Sequence, residues 1–333
     1  METARVADEV SKARRHGQSL RRLLGRRAGE VTLVLVCLCA AGAIYLINPA
    51  FASLYNLQTV ARSVAVFGII AIGETLVIMT AGIDLSPGSV VALTGVVLAL
   101  MLRGGVHPVL ATALTLGAGA VIGLLHGLAV TKIGMNPFIV TLGTLSIARG
   151  VALTITRGIP VKDLPQSFSV VGRGFVFETV PIPAVVAALV VIYGFFILDL
   201  MPLGRHIRAV GGNREAARLA GIPVDNVLMF VYIQAPVLFS IASILLVSRL
   251  GEGFPSVGHG YEFKAITASV LGGTSLFGGV GSVLGAVLGA ILMALVDDGL
   301  ILAKASPFIT DIVMGSAVVL AVTIDILRQR ETR

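Results

Sequence analysis

The stretch GRHIRAVGGNREAARLAGIPVD, residues 204–225, is a polar segment that separates two long apolar runs at residues 181–200 and 227–250. The whole chain is 56% hydrophobic and only 13% charged, and its mean hydropathy is +0.96. This composition excludes an ordinary soluble globular protein, and apolar runs of about 20 residues are long enough to cross a bilayer. The polar segment, called the island below, must therefore lie outside the lipid.

The island carries the local signals of a short helix. Asn213 is a good N-cap, Glu215 follows in the first turn where the helix dipole favours an acid, and Gly221 with Pro223 ends the helix. These signals predict a two-turn helix over residues 214–220. The small residues expected on its surface are Ala216, Ala217 and Ala220. A short helix with small side chains and flanking arginines fits a groove on another protein. The island therefore predicts that a separate partner protein docks there and powers the function of this membrane subunit.

Ten apolar segments define the predicted fold. They cover residues 31–47, 60–79, 89–102, 109–130, 137–156, 181–200, 227–250, 265–276, 280–300 and 308–326. Several reach the roughly 20 residues that a spanning helix needs, whereas the third and eighth are short and flanked by glycine, which is typical of tilted, broken or re-entrant segments. We predict an all-α polytopic membrane protein with about ten transmembrane helices, some short or broken. It is divided into a basic segment at residues 1–30, a transmembrane domain at 31–327 and a tail at 328–333.

The distribution of Lys and Arg predicts the orientation in the membrane. With the N-terminus in the cytoplasm, ten crossings place the island and the C-terminal tail there as well. Sixteen of the 25 basic residues then lie on the cytoplasmic side. The net charge of +7 comes from residues at the ends of apolar segments, so it indicates membrane topology and does not predict a nucleic-acid partner.

Motifs for catalysis and for cofactor or metal binding are absent from the sequence. It has no G-x-x-x-x-G-K-[ST] loop for nucleotide phosphates, no H-E-x-x-H or Cys/His set with metal spacing, and no G-x-S-x-G nucleophile turn. We therefore expect no enzymatic activity, no cofactor and no metal in the chain itself.

Glu74, Asp84 and Ser86 lie within and just after the second apolar segment, where a charge is costly and usually has a function or a partner. One interpretation is that Glu74 and Asp84 relay protons or ions in a secondary carrier. The other is structural: Asp84 forms the turn before the next helix, and Glu74 is satisfied by a neighbouring helix. Both interpretations are compatible with the sequence.

The segment NPFIVTLGT, residues 136–144, opens the fifth span and contributes Asn136, Phe138, Thr141 and Thr144 as candidate path residues. Thr141 and Thr144 lie three residues apart on one helix face, and neutral hydroxyl and amide groups suit a path for a polyhydroxylated solute. Equally, Thr at a helix interface is ordinary packing.

Four stretches together resemble the membrane permease of simple-sugar ABC importers, the ribose-type permease family. They are IGETLVIMTAGIDLSPGS at residues 72–89, NPFIVTLGT at 136–144, GRHIRAVGGNREAARLAGI at 204–222 and YEFKAITASVLGGTSLFGGVGS at 261–282. The resemblance covers nearly all of the chain after the basic N-terminal segment. Each stretch alone is weak, but their order among the apolar segments is specific.

The resemblance implies a subunit of the bacterial plasma membrane that moves a simple sugar or related polyol inward. It implies a second permease copy, identical or paralogous, two cytoplasmic ATP-binding subunits that hydrolyse ATP, and an outer sugar-binding protein, for which the stretch 157–180 is large enough to be a docking surface. The island becomes the coupling element, because its pattern Glu215-Ala216-Ala217-x-x-x-Gly221 resembles the EAA-x-x-x-G loop of importer permeases. The other coupling residues implied are Gly204, Arg205, Arg208, Gly212 and Asn213.

Overall fold

The computed structural model describes residues 29–332. The predicted basic segment, residues 1–30, lies outside the described residues except for its last two positions. Of the predicted tail, residues 328–333, only the backbone up to residue 332 is described.

Within the described range the chain is almost entirely helical. The helices are α1 (Gly29–Ile47), α2 (Leu54–Met79), α3 (Pro87–Arg103), α4 (Pro108–Leu128), α5 (Pro137–Thr156), α6 (Ser169–Arg173), α7 (Ile182–Phe195), α8 (Pro202–Gly212), α9 (Arg214–Leu219), α10 (Val224–Leu250), α11 (Tyr261–Leu271), α12 (Val283–Leu302) and α13 (Pro307–Thr332). Short π-helical turns extend α4 over Ala129–Ile133 and α7 over Phe196–Leu200. Two 3₁₀ turns, Pro49–Ala52 and Gln166–Phe168, and a two-stranded hairpin, β1 (Phe175–Val176) with β2 (Val180–Pro181), complete the secondary structure.

The prediction of an all-α polytopic membrane protein is confirmed. Eight of the described helices are long and apolar enough to cross a membrane: α1, α2, α4, α5, α7, α10, α12 and α13. The third and eighth predicted segments correspond to α3 and α11, which have only 17 and 11 residues. Both were expected to be short, and each is separated from a neighbouring helix by a break at glycine-containing backbone.

Two long helices, α2 and α10, form the centre of the bundle. Within their apolar windows, 78% of α2 and 72% of α10 is buried, whereas α1, α5 and α13 are buried over less than a fifth of theirs. A helix that is apolar all round belongs either in a core or in lipid. Here α2 and α10 occupy the core, and the peripheral helices present their apolar side chains outward.

Glycine lets α4 approach the central helix α10 closely. A Cβ atom at Gly123 would lie 2.4 Å from the Tyr232 carbonyl oxygen, and one at Gly119 would lie 2.3 Å from Ser240 Oγ. A heavy-atom contact normally needs about 3.5 Å, so no larger residue fits without moving one helix. Small residues at helix interfaces have this role in membrane proteins.

The start of α1 and the end of α13 lie on the same face of the bundle. The loop at residues 272–282 binds α1 through Ser282 Oγ, which donates to Glu30 (3.0 Å). It binds α13 through Leu276 N, which donates to Asp325 (3.1 Å). Because α8 packs against the same loop, as described below, the island lies on this face too, which we call the island face.

The opposite face carries the other connections. Asn56 Nδ2, at the start of α2, donates to Asp298 near the end of α12 (2.8 Å). The long connection between α5 and α7 pairs with the loop after α10 through a bridge between Val161 and Gly253. At the tip of the β1–β2 hairpin Phe177 is 91% exposed.

Candidate functional site

The second half of the island forms the short helix that its sequence predicts. Helix α9 covers Arg214–Leu219, and the Asn213 side chain accepts a hydrogen bond from Ala216 N (2.9 Å) as the N-cap. Glu215 lies in the first turn. Gly221 follows the helix with a φ of +79°, a left-handed conformation that favours glycine. The predicted cap and stop are therefore confirmed.

The first half of the island is also helical, which the sequence analysis did not anticipate. Helix α8 begins with Pro202, a favourable first residue, and buries Ile207, Val210 and Gly211 at helical spacing. Its other face carries Arg205 and polar neighbours. Because the island as a whole is polar, its composition does not indicate the narrow apolar stripe on α8.

The predicted exposure of the α9 alanines is partly wrong. Ala216 and Ala220 are exposed, but Ala217 is only 4% exposed and packs into the main hydrophobic core. Its methyl group anchors α9 to the bundle. The residue that the sequence analysis missed is Leu219, which is 89% exposed on the outer side of this helix. The sequence feature that could have indicated this exposed side chain is a single leucine within a short, mostly polar helix.

The predicted coupling residues divide into two groups. Gly204, Arg208 and Ala217 face the bundle. A Cβ atom at Gly204 would lie 2.1 Å from the Leu198 carbonyl oxygen, and Arg208 Nη2 donates to Asp199 Oδ1 (2.9 Å), so both hold α8 against the end of α7. The others are exposed on the island face: Arg205, Gly212, Asn213, Glu215, Ala216 and Gly221.

Exposed ion pairs surround α9. Arg218 contacts Glu215 (3.3 Å) and Asp225 (3.7 Å), and Lys132 at the end of α4 also contacts Asp225 (3.7 Å). Their side chains are 44–80% exposed. Exposed pairs of this kind contribute about 0–1 kcal/mol, so they shape the charge of the surface more than its stability.

The break between α2 and α3 brings three predicted residues together. Glu74, Asp84 and Ser86 are all fully buried. Asp84 Oδ1 accepts hydrogen bonds from Ser86 N (2.7 Å) and Ser86 Oγ (2.6 Å), and Glu74 Oε1 accepts one from Asp84 N (3.3 Å). Asp84 is thus the turn former that one interpretation predicted. The expectation that a neighbouring helix satisfies Glu74 is wrong, because Glu74 Oε1 binds the turn that follows its own helix.

Further buried polar groups surround this break. His126 Nε2 lies within hydrogen-bond distance of Thr144 Oγ1 (2.8 Å), and the same hydroxyl also lies 3.2 Å from the Val140 carbonyl oxygen of its own helix. Among the described residues, Glu74 Oε2, Asp84 Oδ2, His126 Nδ1 and the Tyr232 hydroxyl have no hydrogen-bond partner. No three His, Cys, Asp or Glu side chains within residues 29–332 are grouped to hold a metal ion.

The four candidate residues of α5 do not converge on one point. Thr141 is fully buried and donates to the Ile83 carbonyl oxygen in the break (3.2 Å), whereas Thr144 is half-buried beside His126. Asn136 caps α5 by accepting from Phe138 N (3.0 Å), and both side chains are exposed at the island-face end of the helix. The structure therefore joins Thr141 to the Glu74–Asp84–Ser86 turn and leaves Asn136 and Phe138 apart.

Residues 56–322 match the family described as "Branched-chain amino acid transport system / permease component". The chain is 38% identical over 319 residues to the ribose import permease protein of Bacillus subtilis, which covers 95% of this chain and 97% of that protein. It is 37% identical over 314 residues to the ribose import permease protein of Escherichia coli K12, covering 92% and 95%. It is 34% identical over 282 residues to the D-allose transport system permease protein of the same strain, covering 83% and 84%. No solved structure matches the chain.

Proposed function

Because the chain belongs to this permease family, we propose that it is the membrane subunit of an ABC importer that moves a simple sugar or related polyol inward. The observation that carries the proposal is the 38% identity to a ribose import permease over 95% of the chain. The family description mentions branched-chain amino acids, but the relatives that match over most of their length are named for ribose, allose and fructose. A sugar is therefore the substrate class we assign.

The proposed location is the bacterial plasma membrane, with both termini and the island in the cytoplasm. Two observations support this orientation. The start of α1, the end of α13 and the island all lie on the island face. The majority of the Lys and Arg residues fall on that side of the predicted topology, as expected for a cytoplasmic surface.

The island is proposed to dock onto the ATP-binding subunits, two of which drive one transporter. Two observations support this docking. The capped helix α9 exposes Leu219, Ala216 and Ala220, and the sequence has no phosphate-binding loop of its own. An exposed leucine flanked by small residues suits an apolar pocket. In this proposal Gly204, Arg208 and Ala217 hold the island to the bundle, while Arg205, Gly212, Asn213, Glu215 and Gly221 form the docking surface.

The remaining partners are a sugar-binding protein on the opposite face and a second permease copy, identical or paralogous. The long α5–α7 connection and its hairpin offer the docking surface for the first. The translocation path is proposed to run between the two copies. Within it, Asn136, Phe138 and Thr144 are path residues on the weakly buried helix α5, and Glu74, Asp84, Ser86 and Thr141 shape the buried break beside it.

Uptake into proteoliposomes tests the proposal. Vesicles containing the full-length chain and its ATP-binding subunit are loaded with ATP, and the sugar-binding protein is added outside together with radiolabelled D-ribose, D-allose or L-leucine. We expect ATP-dependent uptake of a sugar and none of leucine. Uptake that needs no ATP-binding subunit and disappears when an ion gradient is collapsed would refute the proposal.

A further inference from the structure

The end of α2 has two carbonyl groups that only other elements can satisfy. The last carbonyls of any α-helix have no partner within the helix. Here the Met79 carbonyl oxygen accepts a hydrogen bond from Gly279 N (2.9 Å) in the loop at residues 272–282. The Thr80 carbonyl oxygen accepts one from Arg214 Nη2 (3.3 Å), the first residue of α9. A cation at this position also interacts favourably with the helix dipole.

The island is packed against the same point by backbone contact. A Cβ atom at Gly211, near the end of α8, would lie 1.8 Å from the Met79 carbonyl oxygen. A Cβ atom at Gly278 would lie 2.6 Å from the Gly211 carbonyl oxygen and 2.9 Å from Ala81. Three segments therefore contact each other directly through their backbones: the end of α2, the end of α8 and the loop at residues 272–282.

The conformation of the break depends on this contact. Ala81 follows Thr80 with a φ of +58°, a left-handed conformation that costs a residue with a Cβ roughly 1–2 kcal/mol. Strained backbone of this kind persists only where its surroundings hold it. From outside α2, Gly279 and Arg214 donate hydrogen bonds to the carbonyl oxygens of Met79 and Thr80, the two residues before it.

The break leads directly to the buried polar residues. Three residues after Thr80, the Ile83 carbonyl oxygen accepts from Thr141 of α5, and the next residue, Asp84, binds Glu74. Residues 80–83 therefore connect the carbonyl that Arg214 binds with the carbonyl that Thr141 of α5 binds.

We propose that Arg214 is a positioning residue that transmits movement of α9 to the α2–α3 break and from there to α5. The inference rests on the proposed function, in which α9 is moved by the ATP-binding subunits. Arg214 differs from Arg218 of the same helix, whose ion pairs are with the exposed carboxylates of Glu215 and Asp225. Ala217 anchors α9 in the core, and Arg214 is the residue of this helix that donates a hydrogen bond to the α2–α3 break. The exposed residues of α9 bind the partner.

The test compares Arg214→Met and Arg214→Gln with the wild type and with Lys132→Met. Neither replacement reaches the Thr80 carbonyl as the guanidinium does, and Lys132→Met removes one cation from the island face away from the break. D-ribose uptake and ATP hydrolysis are measured in the same proteoliposomes, and the sugar transported per ATP hydrolysed is the readout. A role in folding alone lowers both rates in proportion to the amount of intact protein and leaves this ratio unchanged.

We expect both Arg214 variants to retain the ATP-binding subunit on co-purification and to hydrolyse ATP within about twofold of the wild type. Their ratio of sugar to ATP should fall about tenfold, a change equivalent to about 1.4 kcal/mol and typical for loss of one charged hydrogen bond. Arg214→Lys, which keeps one charged donor, should recover part of the ratio, and Lys132→Met should match the wild type. If Arg214→Met or Arg214→Gln transports as much sugar per ATP as the wild type, the role of Arg214 is refuted but the proposed function is not. Absence of ATP-dependent uptake in the wild type would overturn the proposed function as well.

Discussion

Replacing Gly211 by alanine should separate α8 from the end of α2 and destabilise the whole bundle. A Cβ atom at this position would lie 1.8 Å from the Met79 carbonyl oxygen and 2.6 Å from Gly279 N. Since a carbon atom needs about 3.5 Å from such neighbours, the two backbones must move apart by about 1.7 Å. Both obstacles are main-chain atoms, so no side-chain rotation relieves the clash.

The magnitude follows from what this displacement breaks. Overpacking a close interface costs about 1–3 kcal/mol. A shift of this size also weakens the hydrogen bonds from Gly279 to Met79 and from Arg214 to Thr80, at about 1 kcal/mol each. The free energy of unfolding should therefore fall by about 3–5 kcal/mol, which for a chain of 333 residues corresponds to a decrease in Tm of about 4–7 °C.

The neighbouring glycine supplies a matched control. Apart from its chain neighbours and the backbone of its own helix, no heavy atom of the described residues lies within 4 Å of a Cβ atom built at Gly212, and this position also belongs to α8. Gly212→Ala should leave Tm unchanged or raise it slightly, because alanine is favoured over glycine in a helix by up to about 1 kcal/mol. The assay is the fraction of full-length protein that remains monodisperse in detergent after heating. Equal Tm values for the two alanine variants would refute the packing of α8 on α2.

Three further outcomes test the island. Leu219→Asp should abolish co-purification with the ATP-binding subunit while Tm changes by less than about 1 °C, since the side chain is 89% exposed; retained binding would exclude Leu219 from the docking surface. Asn213→Ala removes the N-cap and should destabilise α9 by about 1 kcal/mol, whereas Asn213→Ser should retain most of the stability, as measured by hydrogen exchange of the α9 amides. Gly221→Val places a β-branched residue at a φ of +79° and should reduce ATP-dependent uptake several-fold with normal amounts of protein in the membrane; unchanged uptake and ATPase stimulation would argue against a coupling role.

The features that could be predicted from the sequence are those that depend on local physics. Segment length and apolar composition identified the ten helices, because a bilayer imposes the same requirement on every span. The short lengths of α3 and α11 were visible for the same reason. The Asn213 cap and the Gly221 stop act within a few residues, so they too could be recognised before the structure.

The features that could not be predicted depend on which elements become neighbours. Ala217 and Ala216 are adjacent and chemically identical, and only the position of the core decides that Ala217 is buried. Thr141 looked like a path residue beside Thr144, yet its hydroxyl binds the Ile83 carbonyl in a segment 58 positions away. Likewise, nothing local to Arg214 indicates that its partner is a carbonyl at the end of α2.

One physical requirement connects the island with the break that it covers. Backbone that leaves a helix within a membrane protein exposes carbonyl groups that lipid cannot satisfy, so such backbone must be covered by protein or water. At the end of α2 the covering groups come from Gly279 and Arg214. The island, which its polarity keeps out of the lipid, is therefore, with the loop at residues 272–282, one of two elements that allow α2 to end where it does. If α9 moves when a partner binds and Arg214 leaves the Thr80 carbonyl, either water or a new conformation of the break must supply another donor.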